Sequence, residues 1–376
     1  MIYRRFIYYI LFVAYILSGC CNKANDSVRG AINIDLTKSC DCSDSDLFED
    51  VRLIKLNTGD DFIGSVDKVV WCDDRFVVLD KRQNKVFVFD ENGKIQTIIN
   101  RVGRGPNEYL SIGDIDCKEG VIFIFDDSSC RLCRYDMVGE FLGANKVCEG
   151  YHIAVMDDGV AVYAGEDAEE FELITFNEQC EQSGSYLEVD DVLNSLPITF
   201  VNETSLSKCE DEILLTRYFD YTVYSLKDNS VEPKYKFSFG SDNFDPAILS
   251  FSTPQEFQKN VIQSQGVLSI DYLLETPRWL TFQAGDENVY YNKASGNYVL
   301  RGQLPTLNKV LLSYPAMAYN SQTGYFCTKL TSSNVVNAII PLLTNNPSGF
   351  EGLDNIVDQA TDESDNDWLV LFKMRW

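Results

Sequence analysis

The residues in this chain that could do chemistry are few and scattered. Gly103-Arg104-Gly105-Pro106-Asn107-Glu108-Tyr109 sets two glycines, a guanidinium and a carboxylate on one stretch. Such a loop cradles a phosphate when a helix follows at once, because the first helical amides then converge on the anion. Here residues 108–116 read as extended chain, so the stretch is expected to be a structural crossing. The glycines supply backbone freedom, Pro106 a stop, and Arg104 and Glu108 a bridge between neighbouring units. His152 is the one histidine of the chain, hence the one imidazole available as a base. A lone histidine more often holds structure through hydrogen bonds. Cys130 and Cys133 form a CxxC without a second pair, too little for a four-ligand zinc site. In a strand they would point to opposite faces, and the cysteines other than Cys20 are read as small buried hydrophobes. Asp362, Ser364 and Asn366 alternate like the start of a calcium loop, but Asp367 stands at the turn glycine and Lys373 at the closing glutamate, so no EF-hand is expected. Neither a GxSxG elbow nor a GxxxxGK[ST] loop is present. No catalytic residue, metal ligand or cofactor is assigned.

The elements that must carry these residues come from an internal repeat. Phe76-Val-Val-Leu-Asp80 matches Ile122-Phe-Ile-Phe-Asp126, Asp90 matches Asp136, and Gly93 matches Gly139. Weaker copies contain Val160, Ile213, Trp279 and Gly324. A unit of strand, polar turn, strand, Asp-x-x-Gly turn and strand, recurring every 40 to 50 residues or so, is the signature of a β-propeller blade. Six copies predict an all-β, six-bladed propeller. The strands at 51–56 and 368–376 lack hairpin partners in sequence, so they are expected to pair with each other and close the ring. Two short helices are expected in insertions. The first starts at Thr253-Pro254-Gln255-Glu256, with an N-cap, a proline at the first position and a capping-box glutamate. The second spans 334–340 and stops before Pro341.

The start of the chain predicts a location. Arg4 and Arg5 precede an apolar run at 6–17 that is too short to span a bilayer comfortably. Leu17-Ser18-Gly19-Cys20 follows, with small residues ahead of a cysteine, as in a bacterial lipobox. Residues 1–19 are read as a lipoprotein signal peptide, Cys20 as the lipidated residue, 20–48 as a solvated tether and 49–376 as the propeller. Several acyl chains hold a protein firmly, at about 0.8 kcal/mol per buried methylene. The residues after Cys20, Cys21-Asn22-Lys23-Ala24-Asn25, lack an acidic cluster for surface export. The periplasmic face of the outer membrane is therefore preferred to the cell surface. A net charge of −25 argues against nucleic-acid partners, whose phosphates call for lysine and arginine. A monomer is expected.

The lipobox together with DLFEDVRLIKL, IGSVDKVVWCDDRFVVLD, VFVFDENGKI and GRGPNEYLSIGDI resembles the Bacteroidetes six-bladed β-propeller lipoproteins, relatives of the NHL-repeat propellers. The family's Gly-x-Gly-Pro-x-Glu-Tyr is met by Gly103, Gly105, Pro106, Glu108 and Tyr109. The resemblance is specific over 45–143 and at the closing strand, and loose over 150–360. It implies an exported, envelope-anchored propeller, in some members beside nutrient-uptake machinery, and no particular reaction.

Three functions stay open on sequence. The first is a non-catalytic binding or scaffolding module for a glycan, a peptide or an envelope protein. Loop residues Tyr151 and His152, and Arg278 and Trp279, would contact the ligand through stacking and hydrogen bonds. The second is a calcium-dependent lactonase- or esterase-like hydrolase with the ion in the central channel and His152 as base. The third is a sugar-processing propeller working with two carboxylates.

Overall fold

The computed structural model describes residues 30–38, 47–166, 168–345 and 366–375, with isolated positions 348, 353 and 356. Cys20, the apolar run before it and Trp376 lie outside these. Two strands precede the first complete blade, β1 (Ile32–Asn33) and β2 (Phe48–Lys55). Blade 1 is β3 (Lys68–Cys72), β4 (Arg75–Asp80), β5 (Lys85–Phe89) and β6 (Ile95–Ile99). Blade 2 is β7 (Asp114–Lys118), β8 (Val121–Asp126), β9 (Arg131–Asp136) and β10 (Phe141–Lys146). Blade 3 is β11 (His152–Val155), β12 (Gly159–Tyr163), β13 (Phe171–Asn177) and β14 (Gln182–Glu188). Blade 4 is β15 (Leu206–Cys209), β16 (Glu212–Arg217), β17 (Asp220–Lys227) and β18 (Ser230–Ser238). Blade 5 is β19 (Ile270–Glu275), β20 (Trp279–Ala284), β21 (Glu287–Asn292) and β22 (Tyr298–Leu300). Blade 6 is β23 (Ala318–Asn320), β24 (Tyr325–Leu330), β25 (Trp368–Met374) and, outermost, β2. The chain is a six-bladed β-propeller.

The ring closes as the unpartnered terminal strands require. β2 pairs antiparallel with β25, Val51 opposite Phe372 and Lys55 opposite Trp368. The N-terminal strand starts at Phe48, three residues before the expected position, and so takes in the last residue of the segment read as tether. Residues 30–38 are also fixed to the ring. β1 adds parallel to β18, with Ile32 opposite Phe237, Ile34 is buried, and Lys38 sits 4.5 Å from the centre of the Tyr298 ring.

Strand alternation explains why the blades are apolar on both faces. In β4, Val77 and Leu79 join Ile115, Ile122 and Tyr135 of blade 2. Phe76 and Val78 turn the other way, to Cys327, Leu369 and Leu371 of blade 6. Comparable cores fill the interfaces 2–3, 3–4, 4–5 and 5–6. Each sheet is thus covered only by its neighbours, so the unbroken runs FVVL and VFVF are soluble inside a ring and nowhere else.

The repeat residues do equivalent work. Asp90 Oδ1 accepts from the amides of Asn92 (3.0 Å) and Lys94 (2.9 Å). Asp136 Oδ1 does the same for Val138 and Glu140, and Asn177 Oδ1 for Gln179 and Glu181. The turn glycines have positive φ, 77° at Gly93 and 82° at Gly139, and Cys180 takes that place in blade 3 at 59°.

The first expected helix runs over Pro254–Gln263 with Thr253 as N-cap, and Glu256 Oε2 reaches back to accept from the Ser252 amide, one residue before the cap, at 2.8 Å. The second continues past Pro341 to Asn345, contrary to expectation. A wider π turn at Val335–Ile339 precedes the proline, and residues just after it are the first turn of the next helical segment, where a missing N–H costs least. A helix at Thr306–Leu311 carried no cap signal and was not expected. Among the described residues no helix is long and apolar enough to cross a membrane.

The cysteine reading needs one correction. Cys72, ending β3, and Cys117, in β7, form a disulfide with Cα atoms 5.9 Å apart. They were hidden because each belongs to a different blade and only the ring brings their strands side by side. Cys133, Cys209 and Cys327 are buried thiols, as expected, and Cys130 and Cys133 are not bonded to each other. Burial pushes the Cys133 thiol up to about 11.

Candidate functional site

The crossing loop after blade 1 is a staple. Gly105 N–H donates to Glu108 Oε2 at 2.6 Å. That carboxylate lies so close over Gly103 that a Cβ there would sit 2.0 Å from Oε2, which is why the position is glycine. The tie between blades is made by Tyr109 and Arg131. The Tyr109 hydroxyl shares its one proton between the carbonyls of Asn84 (2.9 Å) and Ile99 (3.1 Å) of blade 1. Arg131 of blade 2 reaches back to the Glu108 and Pro106 carbonyls at 3.3 and 3.1 Å. Tyr109 is fully buried, and desolvation pushes its phenol up to about 12. Arg104 is exposed, and Glu108 turns to the loop's own amide, so the bridge expected of that pair is carried by their neighbours.

The innermost strands β3, β7, β11, β15, β19 and β23 surround the axis. They run in the same direction, as the links between them show. Asp114 Oδ2 accepts from Ile153 N–H at 2.9 Å and Asp116 Oδ2 from Val155 N–H at 2.7 Å. Lys118 Nζ donates to the carbonyls of Met156 and Asp157, both at 3.0 Å. Cations complete these links. Lys68 Nζ lies 2.7 Å from Asp114 and Lys208 Nζ 2.8 Å from Asp116. Although Asp114 is buried, its Lys68 partner and the Ile153 amide hold its carboxyl below the usual range. Sequence reasoning missed these residues. Two signals were available: Asp114 and Asp116 alternate on one face of a strand, and Lys68 occupies in blade 1 the place of Asp114 in blade 2, 46 residues on.

His152 begins β11 and is buried. Its Nδ1 accepts from Ser205 N–H at 3.2 Å. Desolvation drives its pKa down to about 4 despite Asp114 nearby, with Lys68 and Lys81 adding to the fall. The imidazole is neutral and ties blade 3 to blade 4. Tyr151 precedes it, with its amide on the Tyr163 carbonyl at 2.9 Å.

Arg278 and Trp279 lie elsewhere. Tyr151 and His152 are where the chain enters an innermost strand, whereas Arg278 and Trp279 follow the turn that leaves β19, at the opposite face of the disc. The structure therefore does not bring the two pairs together. Arg278 and Trp279 line a cleft of about 250 Å³ between blades 5 and 6, with Tyr319, Phe326 and Met374 as further walls. Arg278 is exposed, and Trp279 is buried.

Among the described residues, one group of side chains has metal-like spacing. Donor atoms of Cys209, Glu212 and Glu275 lie within 4.8 Å of one another. Lysines already serve this group. Lys234 and Lys293 each approach Glu275 to 2.6 Å, and Lys234 also pairs with Glu212. Two ammonium groups neutralise the carboxylates and would repel a third cation, so these residues do not fit a metal. They fasten blade 4 to blade 5.

The family described as "Domain of unknown function (DUF4934)" matches residues 31–373. No curated protein matches the chain. Among solved structures, it is similar to a Bacteroides fragilis protein described as exported. The identity is 16%, the TM-score 0.71, and the match covers 92% of this chain and 100% of that one. A DUF4221-family member from Bacteroides vulgatus gives 11% identity and a TM-score of 0.48, over 88% and 97% of the two chains. A streptogramin B lyase gives 11% and 0.41, over 74% and 80%. At such identities the first likeness supports the fold alone, and the other two carry no argument.

Proposed function

The chain belongs to the DUF4934 family, and from that premise we propose that it is an envelope lipoprotein whose propeller is a non-catalytic binding or scaffolding module. The observation that carries this reading is the use made of the charged groups around the axis. A general base or nucleophile has to gain or lose a proton freely. Here His152 is neutral with Nδ1 engaged, and Asp114 and Asp116 accept backbone amides and pair with lysines. Those side chains hold blades together.

Recognition falls to the Arg278–Trp279 cleft, whose lining combines an arginine with aromatic side chains, a combination suited to a glycan or a peptide. Tyr151 and His152, on the other face, contribute to the scaffold. The lipobox at 17–20 would anchor the chain by acylated Cys20 to the outer membrane, on its periplasmic face, with the propeller a monomer of NHL-like ancestry. The exported description of the Bacteroides fragilis structure accords with this location.

Two measurements test the reading. Cys20→Ala should release the protein from membranes into the soluble fraction, and membrane retention of that variant would refute the anchor. Glycan and peptide arrays, followed by mass spectrometry of the eluted ligand, should show retention without product. Affinity should fall at least tenfold in an Arg278→Ala, Trp279→Ala double variant. Ligand turnover, or unchanged affinity in the double variant, would refute the binding reading.

A further inference from the structure

On the axis, between the six innermost strands, lies a chamber of about 130 Å³. Its lining combines the apolar Trp71, Leu274 and Met317 and the ring of Tyr319 with the charged Lys68, Lys208 and Asp116. The two lysines have more hydrogen-bond donors than partners. An ammonium group carries three N–H donors and no acceptor. Among the described residues, Lys68 Nζ contacts only the two oxygens of Asp114, at 2.7 and 2.9 Å. Lys208 Nζ contacts Asp116 Oδ1 at 2.8 Å and the Cys117 carbonyl at 3.0 Å. Lys118, in contrast, meets two carbonyls and a carboxylate oxygen, all at 3.0 Å. Lys68 and Lys208 therefore each keep a donor, and solvent reaches both, their side chains being 19% and 38% exposed. The carboxylates are already engaged: besides its lysine, Asp114 accepts from the Ile115 and Ile153 amides, and Asp116, which also lines the chamber, from those of Cys117 and Val155. The chamber thus presents spare N–H groups beside an apolar surface.

A second feature points to the same place. β19 is bulged between Asp271 and Leu274, and Tyr272 has a φ of 52°, a conformation that bulky residues rarely adopt. In a regular strand Tyr272, Leu273 and Leu274 would alternate between faces. All three residues of the bulged segment line the chamber. The strained turn is held by Asp271 Oδ1 accepting from Glu203 N–H and by Thr204 Oγ1 accepting from Tyr272 N–H, both at 2.8 Å. Strain kept in this way next to a cavity is characteristic of ligand sites.

We infer that the axial chamber is a binding site for a small organic monocarboxylate. Its carboxylate oxygens accept from Lys68 and Lys208, and its apolar body lies against Trp71, Met317 and Tyr319. At about 130 Å³ the chamber is close to the roughly 150 Å³ of a cavity that takes up a single benzene ring, which suits a short-chain or single-ring acid. The site shares the Tyr319 wall with the Arg278 cleft but uses neither Arg278 nor Trp279.

The test is calorimetric titration of the intact protein with benzoate, benzamide and benzylamine, three similar shapes of different charge. Benzoate should bind at one site, benzamide at least tenfold more weakly, and benzylamine not at all. Lys208→Met, which keeps the stem and removes the ammonium, should weaken benzoate at least tenfold. Ser207→Phe, which fills the chamber and breaks no ion pair, should abolish binding, and it decides the matter if Lys208→Met fails to fold. Arg278→Ala should leave benzoate affinity unchanged. Absence of benzoate binding, equal binding of benzamide, retained binding in Ser207→Phe, or loss in Arg278→Ala would each overturn the assignment.

Discussion

Within the Gly-x-Gly-Pro-x-Glu-Tyr loop, charge and structural importance part company. Glu108 fills the hollow over Gly103 and caps the Gly105 amide, whereas Arg104 faces solvent. Glu108→Ala should cost about 1–3 kcal/mol in urea unfolding, because a half-buried amide is left without its acceptor. Arg104→Ala should stay within about 0.5 kcal/mol. Equal losses would mean that the guanidinium holds the loop after all. His152 makes a prediction in pH. Its ordinary pKa of 6.5 falls to about 4 in the native state. Above pH 6.5 neither the folded nor the unfolded chain holds that proton. As pH falls from 6.5 towards 4 only the unfolded chain takes it up, so stability drops, by at most about 3 kcal/mol. The stabilisation from Asp114, whose pKa is lowered, is present above 3.8 and is lost below it. Asp271 and Glu172, whose pKa values are raised by burial, tilt the profile the other way. The comparison is therefore between wild type and His152→Gln at pH 7.5 and 4.5. The variant should show a smaller acid loss, and identical losses would refute a buried neutral imidazole.

For the strands, position within a blade decides how much depends on each. β25 lies between β24 and β2, so it is an inner strand of blade 6. Deleting 368–376 would expose β24 and leave β2 without a partner, opening two edges at once. The truncated chain should lose cooperative melting of the whole ring in calorimetry. A single unshifted transition would show that blade 6 closes by other contacts. The helix at Pro254–Gln263 is different, since it lies between blades. Thr253 accepts from the Glu256 amide at 3.2 Å, and Thr253→Ala should cost about 0.5–2 kcal/mol, confined to the insertion. Hydrogen exchange should quicken at 254–263 and nowhere else.

At the scale of the whole molecule, six apolar interfaces and a set of polar links share the task of holding the ring. The Cys72–Cys117 disulfide joins the innermost strands of blades 1 and 2 across 45 residues. A loop of that length implies about 4 kcal/mol in the chain-entropy account. A Cys72→Ala, Cys117→Ala variant should unfold at lower urea, and adding reductant should destabilise wild type but not the variant. No effect of reductant on wild type would show that the bond is absent in solution.

The sequence alone determined the architecture. The period shared by Asp80 and Asp126, Asp90 and Asp136, and Gly93 and Gly139 depends on local turn chemistry, which every blade must repeat. The unpartnered strands near the two ends likewise demanded each other. The crossing loop was legible as structure for the same local reason, but not the residue that does the tying, because Tyr109 acts on carbonyls of the preceding blade. The candidate sites depended on the tertiary structure. Lys68, Asp116, Lys208 and Tyr272 come from four blades and meet only because the ring turns their innermost strands towards one axis. Arg278 and His152 looked equivalent as loop residues, yet successive strands run antiparallel, so a turn entering an innermost strand and a turn leaving one lie on opposite faces of the disc. Local sequence specifies a blade, whereas contacts between blades exist only once all six are in place.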